Sequence, residues 1–139
     1  MSDDIRLTVT TRAGRQTTGS GSKWEPKMRY SRAVRAGNVI AVSGTVGVNA
    51  DGKYPESVGE QTRRSLAIIR AAIESLGGRI EHVVRTRMFV TDIFKWEEVA
   101  NVHGEIFGEI RPATAIIEVV RLIDADAKIE IEADAIIGL

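Results

Sequence analysis

Polar and apolar residues alternate along the last part of the chain. Over 128–137, Ile129, Ile131, Ala133 and Ala135 fall on one side, and Lys128, Glu130, Glu132 and Asp134 on the other. A period of two predicts a strand with one dry and one polar face. The same alternation over 4–10 predicts a short first strand. Residues 82–91, rich in β-branched side chains, and the Ile- and Val-rich stretch 113–122 predict two more. Elsewhere the period changes to that of a helix. Leu66, Ile69, Ile73 and Leu76 recur at offsets of three, seven and ten, behind a Ser57–Glu60 capping box and ahead of Gly77-Gly78. Trp96, Val99, His103 and Ile106 repeat that spacing in a second helix over about 94–108, which ends before Pro112.

Turn residues divide what remains. Gly37-Asn38 separates 31–35 from 39–43 as a hairpin, and Asn49-Ala50-Asp51-Gly52 marks another turn. Residues 13–27 carry enough Gly, Ser and Pro to predict a loop. Gly14 and Gly19 have the spacing of a phosphate loop, but Ser20 stands where lysine is needed and no helical run follows. Ser43-Gly44 has the character of a strand end. The order β, ββ, α, β, α, ββ predicts an α+β fold in one domain over 1–139, a mixed sheet with two helices packed on one face.

Composition then narrows the chemistry. Nineteen basic residues balance nineteen acidic ones and only 5% are aromatic, which argues against nucleic acid as a partner. No cysteine is present, and His82 and His103 form no metal-binding pair, so no metal or other cofactor is expected. No apolar run is long enough to span a bilayer and the start is acidic, so a cytoplasmic chain without membrane partners is expected.

Several short blocks, collinear over about 28–137, resemble the reactive-intermediate deaminase A family (RidA, also called YjgF or L-PSP). They are Tyr30, Arg35-Ala36-Gly37-Asn38, Val42-Ser43-Gly44, Gln61-Thr62, Phe89-Val90-Thr91-Asp92, Asn101, Arg111-Pro112-Ala113, Glu118 to Leu122, and Lys128 to Ala133. The resemblance implies a chorismate-mutase-like fold and a homotrimer with a small-molecule cleft between subunits. The implied activity is hydrolysis of imine or enamine metabolites, the ligand being a small molecule such as a carboxylate. It implies Glu130 as the catalytic, water-activating residue, with Tyr30, Ser43, Gly44 and Asn101 at substrate-binding positions. Thr114 stands where the family's substrate-binding arginine belongs, and Ile116 where many members have cysteine. Arg111 is three residues early, which on a strand points to the opposite face. A threonine hydroxyl carries no charge, so weak 2-imino acid deaminase activity is expected, unless Arg87 or Arg111 supplies the guanidinium. A non-catalytic ligand-binding or interaction trimer is the alternative, and an endoribonuclease or translation inhibitor has the least support from composition.

Overall fold

A computed structural model describes residues 4–138. Its strands are β1 (Thr8–Arg12), β2 (Arg15–Gly19), β3 (Ala33–Ala36), β4 (Val39–Val46), β5 (Val83–Val90), β6 (Ala113–Glu118) and β7 (Ile129–Ile136). Its helices are α1 (Trp24–Met28), α2 (Val58–Ser75) and α3 (Trp96–Phe107). The strands form one sheet in the order β1-β2-β3-β4-β7-β5-β6, antiparallel except for the parallel β5–β6 pair. This is the mixed α+β, chorismate-mutase-like arrangement, with α2 and α3 sharing one apolar core against the sheet.

The strongest periodicities become the core. Ile129, Ile131, Ala133 and Ala135 are completely buried. The stripe of Leu66, Ile69, Ile73 and Leu76 is at most 2% exposed. Burying such side chains contributes about 1.5–3 kcal/mol each, more than helix propensity supplies over the same turns. Ser57 caps α2, its hydroxyl accepting the Glu60 N–H at 3.1 Å. The reciprocal half of the box is replaced, because the Glu60 carboxylate reaches Arg63 instead. Gly77 ends the helix at φ +89°, while Gly78 N–H donates to the Ile73 carbonyl at 3.0 Å.

Five expectations need correction. The 13–27 stretch contains β2 and α1 as well as loop, and the first strand lies at 8–12 rather than 4–10. The hairpin closes through Ala13 and Gly14, both at positive φ, and the threonines of β2 serve as strand residues despite the Gly and Ser beside them. Trp96 is half exposed, and the buried stripe of α3 runs through Val99, Val102 and Phe107. β6 stops at Glu118, four residues short of the predicted end. Finally, Ser43-Gly44 is no strand end. The β4–β7 register shifts between Val42 and Thr45, so this pair forms a β-bulge inside β4. Bulges re-aim the residues around them, and this one lies beside Glu130.

Candidate functional site

β7 sends Glu130 to the face opposite the core, where Glu132 and Asp134 also point. At the bulge β4 crosses very close to it. A Cβ added to Gly44 would lie 2.5 Å from Glu130 Oε2, so only glycine leaves the carboxylate in place. Beyond them opens a cavity of about 600 Å³. Tyr30, Arg32, Gly44 and Glu130 belong to its polar lining, and Trp24, Met28 and Ile68 to its apolar lining, with Tyr54 also at its wall.

Local structure fixes each member of the polar side. Arg29 at φ +61° ends α1 and turns the chain into Tyr30, whose N–H donates to the Glu25 carbonyl at 3.1 Å. Arg32 is held in the sheet by two backbone bonds: its N–H donates to Thr18 at 2.7 Å and its carbonyl accepts from Ser43 at 2.9 Å. Its guanidinium, in a residue only 6% exposed, spans the bulge. Nη1 donates to the Gly44 carbonyl at 2.8 Å and to Thr45 Oγ1 at 3.1 Å, and Nη2 donates to the Tyr30 hydroxyl at 3.3 Å. Burial pushes the Glu130 carboxyl above the usual carboxylate range; Arg32 opposes that shift and Glu132 adds to it. A carboxyl raised in this way holds its proton more readily than a solvated one, which suits a group that exchanges protons. In the same cavity lining Tyr54 donates to Asp124 at 3.1 Å, and burial together with that carboxylate raises the phenol.

The other sequence-derived positions lie elsewhere in the chain. Ser43 is at the bulge, but its hydroxyl is occupied, donating to the Ser31 carbonyl at 2.6 Å. Asn101 is exposed on α3. Thr114 is exposed on the edge strand β6, and its hydroxyl meets Thr86 Oγ1 at 2.7 Å. Thr86, fully buried, also bonds His103 Nε2 at 2.9 Å. Burial lowers the His103 pKa and favours the neutral ring. One copy of the chain thus gathers Tyr30, Gly44 and Glu130 but places Asn101 and Thr114 outside that cavity. Neither proposed arginine substitute lines it. Arg87 pairs with Glu132 at 3.6 Å and Asp134 at 3.2 Å, and Arg111 is exposed beside Glu109. Arg32 is the member that sequence reasoning missed. Its signal was a charged residue two positions after Tyr30, entering a strand whose neighbours Ala33 and Val34 are apolar. Among the described residues no group of His, Asp or Glu could hold a metal ion, and no helix is long and apolar enough to cross a membrane.

A mixed sheet backed by two helices, with a bulge that brings glycine against a half-buried carboxyl at a cavity, places the chain among small α+β domains. The chain belongs to the RidA/YjgF/L-PSP family: the family described as Endoribonuclease L-PSP matches residues 21–137. It is 37% identical over 111 residues to the 2-iminobutanoate/2-iminopropanoate deaminase of Escherichia coli, covering 77% of this chain and 86% of that protein. It is 34% identical over 120 residues to an uncharacterized protein of Streptomyces coelicolor, covering 86% and 90%. Among solved structures it resembles Rv2704 of Mycobacterium tuberculosis, a member of the YjgF/YER057c/UK114 family. That match has a TM-score of 0.82 and 43% identity, over 88% of this chain and 99% of the other. Escherichia coli TdcF, solved with bound serine, matches at a TM-score of 0.73 and 29% identity, over 77% and 87%.

Proposed function

We propose that the protein is a homotrimer that hydrolyses small imine or enamine metabolites in a cleft completed by an adjacent subunit. The observation that carries this reading is Glu130, a half-buried carboxyl of raised pKa facing a cavity beside Gly44 and Tyr30. As carboxylate it takes a proton from water while the oxygen attacks the imine carbon. It passes that proton to nitrogen to give a carbinolamine, then carries the new hydroxyl's proton to the same nitrogen, so that the C–N bond breaks as C=O forms and ammonia leaves a carbonyl product. The deaminase activity named for the Escherichia coli relative, and the serine bound by TdcF, support a small nitrogen-bearing ligand.

Assembly is supported by what one chain leaves uncovered. Ile117, Val120 and Ile123, on β6 and the segment after it, are 47%, 88% and 70% exposed. Such apolar surface on a sheet edge fits a contact between copies. A neighbour's β6 packed against the cavity would bring Thr114 toward Glu130. Thr114 contributes a neutral hydroxyl, so that wall offers a carboxylate no charged anchor.

Light scattering after gel filtration tests the assembly, with about three times the 15.2 kDa chain mass expected. The chemistry is tested by ammonia release from imines, including 2-aminoacrylate generated in situ from serine by a dehydratase. A clean monomer removes the shared cleft. A trimer that binds small molecules yet releases no ammonia from any imine is instead a ligand-binding member of the family, a reading that the lost arginine favours.

A further inference from the structure

Arg32 carries a buried positive charge whose hydrogen bonds all go to neutral oxygens. Nη1 spends both hydrogens on the Gly44 carbonyl and the Thr45 hydroxyl, and Nη2 spends one on the Tyr30 hydroxyl. Nε has no hydrogen-bond partner. The nearest carboxylate, that of Glu25, stays 3.7 Å from Nε and is held elsewhere, by the Ser20 N–H at 3.0 Å and by the Ser20 hydroxyl. The two side chains, each 8% exposed, thus form a buried ion pair through Nε, which offsets part of the cost of burying the guanidinium. The Nη groups have no carboxylate among the hydrogen bonds given above, and Arg32 lines a cavity rather than closed core.

Two donors remain unspent on that wall. The second Nη2 hydrogen has no acceptor among the described residues. Tyr30 accepts from Arg32, so its phenolic hydrogen is not spent on that bond and can donate. Two convergent donors, one of them charged, match an anionic oxygen. The same cavity is also lined by Trp24, Met28 and Ile68, which suit an apolar body.

We propose that the cavity binds a small carboxylate with an apolar body, anchored by Arg32 Nη2 and the Tyr30 hydroxyl. This deepens the imine-hydrolase reading by naming how a charged substrate is held: the anchor lies on the same subunit as Glu130, in place of a guanidinium at position 114. Arg32 is then a binding residue, and it simultaneously positions Gly44 at the bulge.

The test is equilibrium binding to the whole assembled protein, followed by NMR titration with benzoate and with benzamide, its uncharged near-isostere. Benzoate is expected to bind at least about tenfold more tightly, the range of one charge-assisted hydrogen bond. Arg32→Gln should abolish that preference. Tyr30→Phe, which leaves the charge in place, should reduce it severalfold. Equal binding of the two probes by the native protein overturns the proposal, and this comparison needs no variant, so a folding defect in Arg32→Gln does not blunt it. An undiminished benzoate preference in folded Arg32→Gln overturns it equally. Turnover is not involved, so the two readings can fail separately. Benzoate selectivity without ammonia release from any imine sinks the hydrolase and keeps the anchor. Imine hydrolysis indifferent to Arg32→Gln and Tyr30→Phe does the reverse.

Discussion

Two partly buried polar clusters lie along the sheet, one at the β4 bulge and one between β5, β6 and α3. The first, Glu25, Arg32 and Glu130, is charged and opens on a cavity. The second, Thr114, Thr86 and His103, is neutral and closes on itself, each bond between 2.7 and 2.9 Å. The neutral cluster satisfies its buried group at little cost, since two hydroxyls and an uncharged ring exchange hydrogen bonds freely. The charged cluster leaves donors over and a carboxyl raised by burial. Partial satisfaction in a water-accessible hollow is the mark of a site, whereas complete satisfaction is the mark of a scaffold.

The sharpest way to break this contrast uses two glycines of one segment. Gly47 packs on α2, and a Cβ there would lie 2.2 Å from the Gln61 backbone carbonyl, which cannot step aside. Gly47→Ala should cost about 3 kcal/mol or more, measured by urea unfolding. At Gly44 the clash is with the end of the Glu130 side chain, which can swing away. Gly44→Ala should therefore cost far less stability and still remove most activity, because the displaced carboxyl no longer faces the cavity. Equal stability losses in the two variants would place Gly44 in the scaffold.

Next in size is Glu130 itself. Glu130→Gln keeps the shape and removes the base, so imine hydrolysis should fall about 100-fold or more while the assembled mass is unchanged. Activity equal to the native protein would reduce Glu130 to a polar-face residue like Glu132.

How far the sequence foretold these clusters follows from what each depends on. α2 and β7 were legible because a single chain-local period decides which residues are dry, and burial followed it almost residue by residue. β2 was not, because Thr17 and Thr18 sit beside Gly and Ser, and pairing with β1 and β3 decided the matter. The family resemblance pointed to Glu130, Tyr30 and Gly44, which the fold gathers. Nothing local announces that Ser43-Gly44 is a bulge, since that depends on the register of β7 eighty-odd residues away. Thr114, where the resemblance places an arginine, was legible as a threonine. The role of Arg32 was not legible, because it depends on a cavity built from α1, β4 and β7 together.

The neutral cluster supplies a smaller test. Thr86 is the shared member, so Thr86→Val leaves the His103 ring nitrogen and the Thr114 hydroxyl without their partner at nearly constant volume. A loss of about 1–3 kcal/mol is expected in chemical unfolding. Thr114→Val removes only the exposed end, and Thr86 keeps His103, so the change should stay within about 0.5 kcal/mol. A large loss at Thr114 would mean that its hydroxyl is needed for more than this chain of bonds.

The smallest effect separates the clusters by the sign of their pH dependence. Burial raises the Glu130 carboxyl, so the folded protein holds that proton more tightly than the unfolded chain does. The stability linked to it is fully present below the unfolded carboxyl value of about 4.3 and is lost as pH rises through the higher folded value. Glu130→Gln has no such loss, so its stability relative to native should increase from acid toward neutral pH and then level off. Burial lowers His103 instead, so the folded protein resists protonation there. Its contribution is present above the unfolded value of about 6.5 and is lost as pH falls through the lower folded value. His103→Gln should therefore gain on the native protein only on the acid side of that window. Urea unfolding at fixed protein concentration across pH 4 to 8 measures both differences, with concentration held constant so that any assembly contributes equally. A Glu130→Gln difference that does not change with pH would show the carboxyl to be solvated in both states. The contrast between a partly satisfied charged cluster and a satisfied neutral one would then have lost its central member.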